Sequence, residues 1–449
     1  MDPFQDLPVD IIGLILKQLS DLPTLYFLTH ASPFIALVLH QDQALAVFII
    51  EEIIAHPRTP TGIQFIIRTI ALIRLQSQLG RKTKSIQEEK QISLLPTTLE
   101  DFTTQLDASY PMSFSMSLKP LAISPGDSLY GTAPLSKTLY PSVALLLVSP
   151  RFLYRLLALS AYVRIITRTI TQSLLGRCHA LRPSHPANPK YRFKYPFTFE
   201  IFLRGFHAEP GPSYTPVDSG PPSWTEESRV SFAVWRIVLY FEMRNTYLDT
   251  GLSSAWGLDW GDAVARKHEG LAVLQFWRKI IDRTHGLYDL ETVAEWMFPE
   301  AIGTYEAESW VEPPSPSLVL SRRQHESCCY SLINEPTLKE EWCHVYEQDQ
   351  DHQSRTAFRY ITSDMLGYEW GLLNTVDFEV FRPYGFSIWD TKRIAAWELW
   401  QMNLARKGSL ISDSKLWFTW KSILSKKQVE EHEEKRRKSI GDSPWKLQN

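Results

Sequence analysis

The sequence predicts a mainly α-helical protein, and the spacing of its apolar residues carries that prediction. Apolar residues recur every three or four positions along most of the chain, whereas the alternation typical of strands appears only near residues 197–203. Of the 449 residues, 44% are hydrophobic and 22% are charged. These proportions are typical of globular proteins and exclude disordered, collagen-like and disulfide-stapled chains.

Charge and cysteine usage narrow the class of protein further. The net charge of −3 argues against a protein whose whole surface binds nucleic acid. Four cysteines cannot form a disulfide framework in a chain of this length, and no Asn-x-Ser/Thr sequon is present. No stretch approaches the roughly 20 uncharged apolar residues of a membrane helix. We therefore expect a protein of a reducing compartment, cytoplasmic and/or nuclear and not secreted, with no membrane partner.

The first residues predict two short helices. Leu7–Pro8 is a helix start, because proline suits the first helical turn. Asp21 is positioned to cap a second helix that begins around Pro23 and carries Leu25 and Leu28. The apolar stripe of the first helix is too wide for one neighbour to cover, so part of it needs another partner, in this chain or in a second one. That stripe consists of Ile11, Ile12, Ile15, Leu16 and Leu19.

Three longer helices are predicted further along the chain. Pro60–Thr61 starts one whose apolar residues run from Ile63 to Ile70, and a longer stripe runs from Phe152 to Ile170. Ser223 and Glu226 have the spacing of a capping box. They precede an apolar face that runs from Val230 to Phe241.

A further helix is predicted near the C-terminus. Ser387 and Asp390 open it, and Gly408 stands where it would end. It would carry Arg393, Trp397, Trp400 and Leu404.

Proline and tryptophan usage divides the chain. Residues 181–222 hold nine prolines, which exclude a long helix there, and all fifteen tryptophans lie from Trp224 onward. We place a boundary near residue 220. The predicted organisation is an N-terminal domain over residues 1–55, a helical region ending in the proline-rich stretch over 56–220, a Trp-rich helical domain over 221–425 and a charged tail over 426–449.

The N-terminal pattern resembles an F-box. The Leu7–Pro8 start, the acidic Asp10, the Ile-x-x-Ile-Leu core of the first helix and the Leu22-Pro-x-Leu25 start of the second all match. A following segment, Ala31-Ser-Pro-Phe34 and a helix with Leu45, Phe48, Ile49 and Glu52, is similar to F-box proteins of filamentous fungi. Gly13 departs from the pattern, because glycine inside a helix costs about 1 kcal/mol relative to alanine.

Two C-terminal features resemble the same group of proteins. One is a helix with Glu226, Arg229 and Arg236. The other is Arg382-Pro-Tyr-Gly-Phe-Ser-Ile-Trp-Asp390 followed by Arg393, close to an Arg-x-x-Gly-aromatic-x-x-Trp-Asp pattern. The resemblance is dense over residues 4–55 and patchy after residue 220.

The resemblance implies a non-catalytic receptor. An F-box docks on the Skp-family adaptor of a cullin–RING ubiquitin ligase, and the rest of the chain presents a protein substrate, here of unknown identity. Docking works by burial of a helix face and needs no catalytic residue, cofactor or metal. The resemblance implies that the adaptor-binding residues are Leu7, Pro8, Ile11, Ile12, Ile15, Leu19, Leu22 and Leu25.

Other chemistry has weaker signals in the sequence. No nucleotide-binding, nucleophile-elbow or zinc-protease motif is present. Asp349-Gln-Asp351 is typical of a solvated loop rather than of a cation site. The soft ligands around 325–344 lack paired Cys-x-x-Cys spacing, so buried structural cysteines are favoured there over zinc. Those ligands are His325, Cys328, Cys329, Cys343 and His344.

Three alternatives to a ligase receptor stay open: a non-ligase helical scaffold, a nucleic-acid-associated protein and an enzyme whose site has no recognisable motif. The absence of catalytic motifs makes the enzyme the least favoured of these. Residues 151–206 interleave ten Lys/Arg with aromatic residues, as a nucleic-acid face can, yet these arginines could equally line a helix or pair with the seven acids of residues 286–312. Direct nucleic-acid binding is therefore not favoured. The basic cluster Lys435–Lys438 fits either a nuclear-import signal or a solvated tail. The C-terminal tryptophans fit either core positions or a recognition surface.

Overall fold

The predicted mainly α-helical class is confirmed. The computed structural model describes residues 2–82, 149–186, 210–250, 269–280, 288–298 and 380–398, together with 401–402, 414–415, 422–431 and 434. Most of these residues are helical. In chain order the elements are α1 Val9–Lys17, α2 Leu22–Ala31, α3 Pro33–Gln41, α4 Gln43–Ile54, α5 Thr61–Lys82, α6 Pro150–Ala180, β1 Ser184–Pro186, β2 Pro210–Ser213, α7 Trp224–Thr250, α8 Glu269–Ile280, α9 Tyr288–Met297, a 3₁₀ helix Arg382–Tyr384, α10 Thr391–Ala396, β3 Gln401–Met402 and β4 Ser414–Lys415.

The chain divides into two compact units, each built from two separate stretches of sequence. The first comprises Met1–Arg168 and Ser231–Glu340, and the second comprises Thr169–Val230 and Glu341–Asn449. Two of the three unit boundaries fall inside α6 and α7, and the third, between Glu340 and Glu341, lies outside the described residues. The predicted domain boundaries fall at 55, 220 and 425. Those domain assignments remain predictions.

In the first unit, the four N-terminal helices pack on one another. Helix α1 contacts α4, while α2 and α3 contact each other and α4. Each of α2, α3 and α4 begins at a residue whose side chain accepts a hydrogen bond from a backbone N–H of the first turn. These three N-cap residues are Asp21, Ser32 and Asp42. Ser32 and Asp42 each end one helix and start the next, so α2, α3 and α4 follow one another with single-residue connections, whereas residues 18–21 connect α1 to α2.

The predicted longer helices are confirmed as α5, α6 and α7. Helix α5 begins at Thr61 as expected, and the isoleucines of its stripe are buried. In the first unit α5 carries two arginines that form ion pairs, Arg68 with Glu51 of α4 at 2.6 Å and Arg74 with Glu242 of α7. Guanidinium groups in partly buried positions therefore link α5 to two neighbouring helices.

The acidic segment 286–312 is described only over α9 and Phe298. There, Glu291 is buried and pairs with Arg278 of α8 at 2.7 Å, and Asp289 lies 3.8 Å from Arg236 of α7. The indole N–H of Trp277 on α8 donates to the carbonyl oxygen of Arg236 at 3.2 Å. These acids therefore lie against arginines of α7 and α8.

The second unit contains the predicted capping box at the start of α7, which is confirmed. The backbone N–H of Glu226 donates to the Ser223 hydroxyl at 3.2 Å, and the Glu226 carboxylate accepts from the Ser223 N–H at 2.7 Å. The Ser223 hydroxyl itself donates to Asp390 at 2.6 Å. The capping box is thus connected to the C-terminal motif across more than 160 residues of sequence.

A buried ion pair stands at the centre of this connection. Arg393 donates from Nε to both carboxylate oxygens of Glu226, at 2.8 and 3.0 Å, and both side chains are almost completely buried. Its Nη atoms donate to the Ser219 hydroxyl and to the carbonyl oxygens of Gly220 and Pro221. A fully hydrogen-bonded guanidinium is the condition under which a buried charge is tolerated.

The segment from Arg382 to Asp390 folds around Gly385. This residue ends the 3₁₀ helix with φ of 69°, a left-handed conformation that favours glycine. A Cβ placed here would lie 3.0 Å from the Trp389 indole nitrogen and 3.2 Å from Leu174. The carbonyl oxygen of Tyr384 accepts from the Trp389 N–H at 2.6 Å and from the Cys178 thiol at 2.8 Å. The Arg-x-x-Gly-aromatic-x-x-Trp-Asp pattern therefore encodes a tight turn under a buried tryptophan.

The predicted C-terminal helix is wrong in its extent. It begins at Thr391, directly after Asp390, but ends at Ala396 instead of continuing toward Gly408. Glu398 has a positive φ of 56°, which no α-helix contains, and Gln401–Met402 pairs as a strand with Ser414–Lys415. Arg393 lies on the helix and Trp397 directly follows its end, while Trp400 and Leu404 are outside the described residues.

The proline-rich stretch is described only at its two ends. Ser184–Pro186 pairs antiparallel with Pro210–Ser213, and the Ser184 N–H donates to the hydroxyl of Ser422 at 3.1 Å. The described residues 181–186 and 210–222 contain no helix, as the prolines predict. The strand predicted near residues 197–203 lies outside the described residues.

We expect Glu226→Gln to destabilise the protein by about 3 kcal/mol, because it leaves the Arg393 charge buried without its counter-ion. Thermal unfolding followed by tryptophan fluorescence measures the loss. The double variant Glu226→Leu with Arg393→Met removes both charges together. It should recover part of the stability lost by Glu226→Gln; a double variant that is less stable than Glu226→Gln alone would contradict this account.

We expect Gly385→Ala to cost roughly 2–4 kcal/mol, the sum of a left-handed backbone penalty and a steric contact with Trp389. Gly220 is a matched control, because its φ is also positive, at 80°, and no atom lies within 4 Å of a Cβ built on it. Gly220→Ala should therefore lose only the backbone part, on the order of 1–2 kcal/mol. Equal losses in the two variants would show that the contact with Trp389 is unimportant.

We expect Gly13→Ala to stabilise the N-terminal helices by about 0.5–1 kcal/mol, since alanine is the better helix former. A Cβ at Gly13 would meet only the end of Leu45 at 3.4 Å, an ordinary contact. Gly176 of α6 is the control, because a Cβ there would meet nothing within 4 Å. If Gly176→Ala stabilises and Gly13→Ala does not, the contact with Leu45 is tighter than this structure indicates.

Candidate partner-docking face

Helix α1 starts as the sequence predicts. Pro8 occupies the N-cap position and has no side chain that could cap, and its carbonyl oxygen accepts from the Ile12 N–H at 3.1 Å. Asp10 lies in the first turn and Lys17 in the last, so both charges oppose the adjacent end of the helix dipole. A nine-residue helix is too short to be stable alone, and its stability must come from packing.

One side of α1 forms part of the core of the first unit. Ile12 and Leu16 are fully buried, and Gly13 is buried between them. Gly13 faces Leu45 of α4, whose Cδ1 atom is its nearest neighbour. A methyl group at this position would make an ordinary contact with Leu45, so the packing of α1 on α4 does not require glycine here.

The opposite side of α1 is apolar as well, but it is exposed. Ile11, Leu14 and Ile15 follow one another at helical spacing and are 42%, 55% and 38% exposed. We call these three residues the docking face. Exposed large apolar side chains are ordinary when scattered, whereas three on one helix side form a patch of the kind that marks interaction surfaces.

The eight residues implied for adaptor binding differ in exposure: three are exposed, two are half-buried and three are buried. Ile11, Ile15 and Pro8 are exposed, and Leu7 and Leu19 are half-buried. Ile12, Leu22 and Leu25 are buried within the unit, so they shape the helices that present the docking face and are not themselves available at its surface. Leu14 was missing from the implied set, although its spacing from Ile11 could have identified it.

Helix α2 is oriented by the predicted cap. Asp21 accepts from the Thr24 N–H and from the Thr24 hydroxyl, each at 2.7 Å. The same carboxylate oxygen lies 3.1 Å from Nη1 of Arg164 on α6. Arg164 therefore forms an ion pair with the N-cap residue of α2. Because its charge is already paired within the chain, Arg164 is less available to a nucleic-acid-binding face of the basic segment 151–206.

The residues before α1 are also attached to the bundle. Asp2 accepts from the Ser32 hydroxyl at 2.6 Å and from the Phe34 N–H at 3.1 Å. The hydrogen bond from Ser32 lowers the pKa of the Asp2 carboxyl, assisted by the backbone N–H groups of Phe4 and Phe34. Ser32 simultaneously caps α3 through its oxygen, so one buried hydroxyl links the N-terminal segment to the start of that helix.

The exposed apolar surface extends from α1 to α4. Phe48 of α4 is 43% exposed, and the ammonium group of Lys17 lies 4.3 Å from the centre of its ring. This distance is typical of a cation–π contact. The sequence placed Phe48 in an F-box-like helix but gave no signal for its pairing with Lys17, which depends on how α1 packs on α4.

The other candidate sites have little support among the described residues. Within the ranges that the structure describes, no three His, Cys, Asp or Glu residues form a cluster able to hold a metal ion. Cys178 is buried and its burial raises the pKa of the thiol, so it is not a reactive thiolate. The Asp349–Asp351 pair and the His325–His344 ligand set lie outside the described residues, as does Lys435–Lys438.

The described tryptophans of the C-terminal half differ in how deeply they are buried. Trp389 and Trp397 are fully buried, which confirms a core role for these two. Trp224 is half-buried at the start of α7. Trp256, Trp260 and Trp310, which stand near Gly or Pro in the sequence and so are expected near loops, lie outside the described residues.

Among the described helices, one pair alone has the length and composition of a membrane span. No individual helix has both the length and the apolar character to cross a bilayer; α2 and α3 meet those criteria as a pair, but the pair is bent by 113°. Several residues of both helices belong to the protein core.

The chain was compared with protein-family models, curated proteins and solved structures, and none of the three comparisons finds a match.

Proposed function

We propose that this chain is an F-box substrate receptor, which docks on the Skp-family adaptor of a cullin–RING ubiquitin ligase and presents a protein substrate. The observation that supports it best is the docking face, an exposed apolar side on a helix whose other side is already buried. The proposal also draws on the resemblance of residues 4–55 to the F-box motif.

The physical mechanism is burial of the docking face in an apolar groove of the adaptor. The apolar atoms of Ile11, Leu14 and Ile15 leave water on docking, which stabilises the complex by roughly 25 cal/mol for each Å² of apolar surface removed. Because α1 is held by α4 on its other side, docking does not have to form the helix. A preformed helix binds with less loss of conformational entropy than a disordered segment.

The buried members of the implied set have a supporting role in this proposal. Leu22 and Leu25 anchor α2, and Ile12 anchors α1, so the exposed residues keep fixed relative positions. Substitution of Ile12 would therefore test folding rather than docking. A clean test of docking has to change the exposed residues alone.

Substrate recognition is proposed for the part of the chain after residue 55. In the second unit, the buried network of Glu226 and Arg393 connects the start of α7 to the C-terminal motif, and packed frameworks of this kind are the usual support for recognition loops. No catalytic residue is proposed, because transfer of ubiquitin needs only that the receptor hold the adaptor and the substrate together. The scaffold and nucleic-acid alternatives predict no adaptor in the complex.

We expect the double variant Ile11→Asp with Ile15→Asp to lose adaptor binding by 100-fold or more, because docking would bury two carboxylates that lack partners (each costing on the order of 2 kcal/mol or more). Both positions are exposed, so the fold should persist, as judged by circular dichroism and thermal unfolding. Binding is measured by co-purification with a Skp-family adaptor and by titration calorimetry.

The matched control is Val217→Asp, which places the same charge at an exposed apolar residue of the second unit, 65% exposed. This control should bind like the wild-type chain. Wild-type affinity in the double variant would show that the docking face is not where the adaptor binds. A wild-type chain that captures no adaptor, but captures nucleic acid, would favour the alternative function.

A further inference from the structure

Lys17 lies at the edge of the docking face in a position that any large partner must approach. It follows Leu14 by three residues, and hence by about one helical turn. Its ammonium group lies over the exposed ring of Phe48. Leu14 and Phe48 are among the most exposed apolar side chains of the described residues, so a partner that covers both also comes near Lys17.

The charge of Lys17 has no carboxylate partner in the part of the chain that the structure describes. Its recorded contact is with the Phe48 ring, and the ion pairs formed by the N-terminal helices involve other residues. The nearest acid on the same helix edge, Asp10, lies two turns away, about 10 Å along the axis. Lys17 is thus a half-buried cation whose ammonium group is held against an aromatic ring.

A partner that covered this surface with apolar groups alone would remove the ammonium group from water and leave its charge buried without a counter-ion. Burial of an unpaired charge costs more free energy than the apolar area around one lysine returns. A carboxylate on the partner removes this penalty and also fixes the orientation of binding. The ring of Phe48 holds the ammonium in place, so less side-chain freedom is lost when the pair forms.

We propose that Lys17, held over Phe48 beside Leu14, pairs with a carboxylate of the adaptor and sets the orientation in which the adaptor docks. This inference rests on the proposed function and adds the chemistry of the partner surface. That surface consists of an apolar groove for Ile11, Leu14 and Ile15, with an acidic side chain at the end that meets the C-terminal turn of α1.

The test measures adaptor affinity of the full chain for three variants of Lys17 at low and high salt. Lys17→Met keeps the apolar stem and removes the charge, and we expect it to weaken binding roughly ten-fold at low salt. Lys17→Glu should weaken binding more, and Lys17→Arg should restore most of the affinity. The wild-type affinity should fall as NaCl is raised, while that of Lys17→Met should change much less.

One result for Lys17→Met would reject the inference. If Lys17→Met binds as tightly as the wild-type chain, or more tightly, the charge is a burden to docking and the inference is wrong. Lys426→Met, which removes an exposed charge of the second unit, is the control and should bind like the wild-type chain. Loss of binding in the Ile11, Ile15 double variant with no effect in Lys17→Met would reject the inference alone; absence of adaptor binding by the wild-type chain would reject both proposals.

Discussion

Among the described residues, helix α1 is buried on the side that faces α4 and exposed on the other, and this one-sided burial governs the N-terminal part of the structure. The sequence of α1 is apolar nearly all the way round. Ile12 and Leu16 occupy the side that α4 covers, which leaves Ile11, Leu14 and Ile15 in contact with water. The caps at Asp21, Ser32 and Asp42 fix the short helices that surround α1, so the exposed side is presented by a preformed structure.

Much of this arrangement could be predicted from the sequence, because helix starts depend on local chemistry. Pro8, Asp21 and the Ser223–Glu226 box act within four residues of themselves, and each was predicted correctly. The mainly α class followed from apolar spacing in the same way. Helix α3 was not predicted as a separate element, because a single residue, Ser32, separates its start at Pro33 from the end of α2 at Ala31.

The errors concern features that depend on distant residues. The C-terminal helix ends at Ala396 although its apolar spacing continues, and the local sequence gives no sign of the strand that follows. Spacing groups Ile11, Leu14 and Ile15 on one side of α1, but it could not say which side of the helix the rest of the unit leaves exposed. Ile11 and Ile12 are adjacent and chemically identical, and only the position of α4 decides that the second is buried. The contact between Lys17 and Phe48 likewise depends on how α1 packs on α4, so the sequence could not predict it.

The pairing of Glu226 with Arg393 also determines when the second unit can be completed during synthesis. The two residues are 167 positions apart. At a translation rate of about 5–20 residues per second, roughly 8–30 seconds separate the appearance of the carboxylate from that of the guanidinium. During this interval the start of α7 carries a carboxylate without its counter-ion, and Ser219, Gly220 and Pro221 lack the donors that Arg393 later supplies. The network around Glu226 can therefore form only after Arg393, in the last quarter of the chain, has been synthesised.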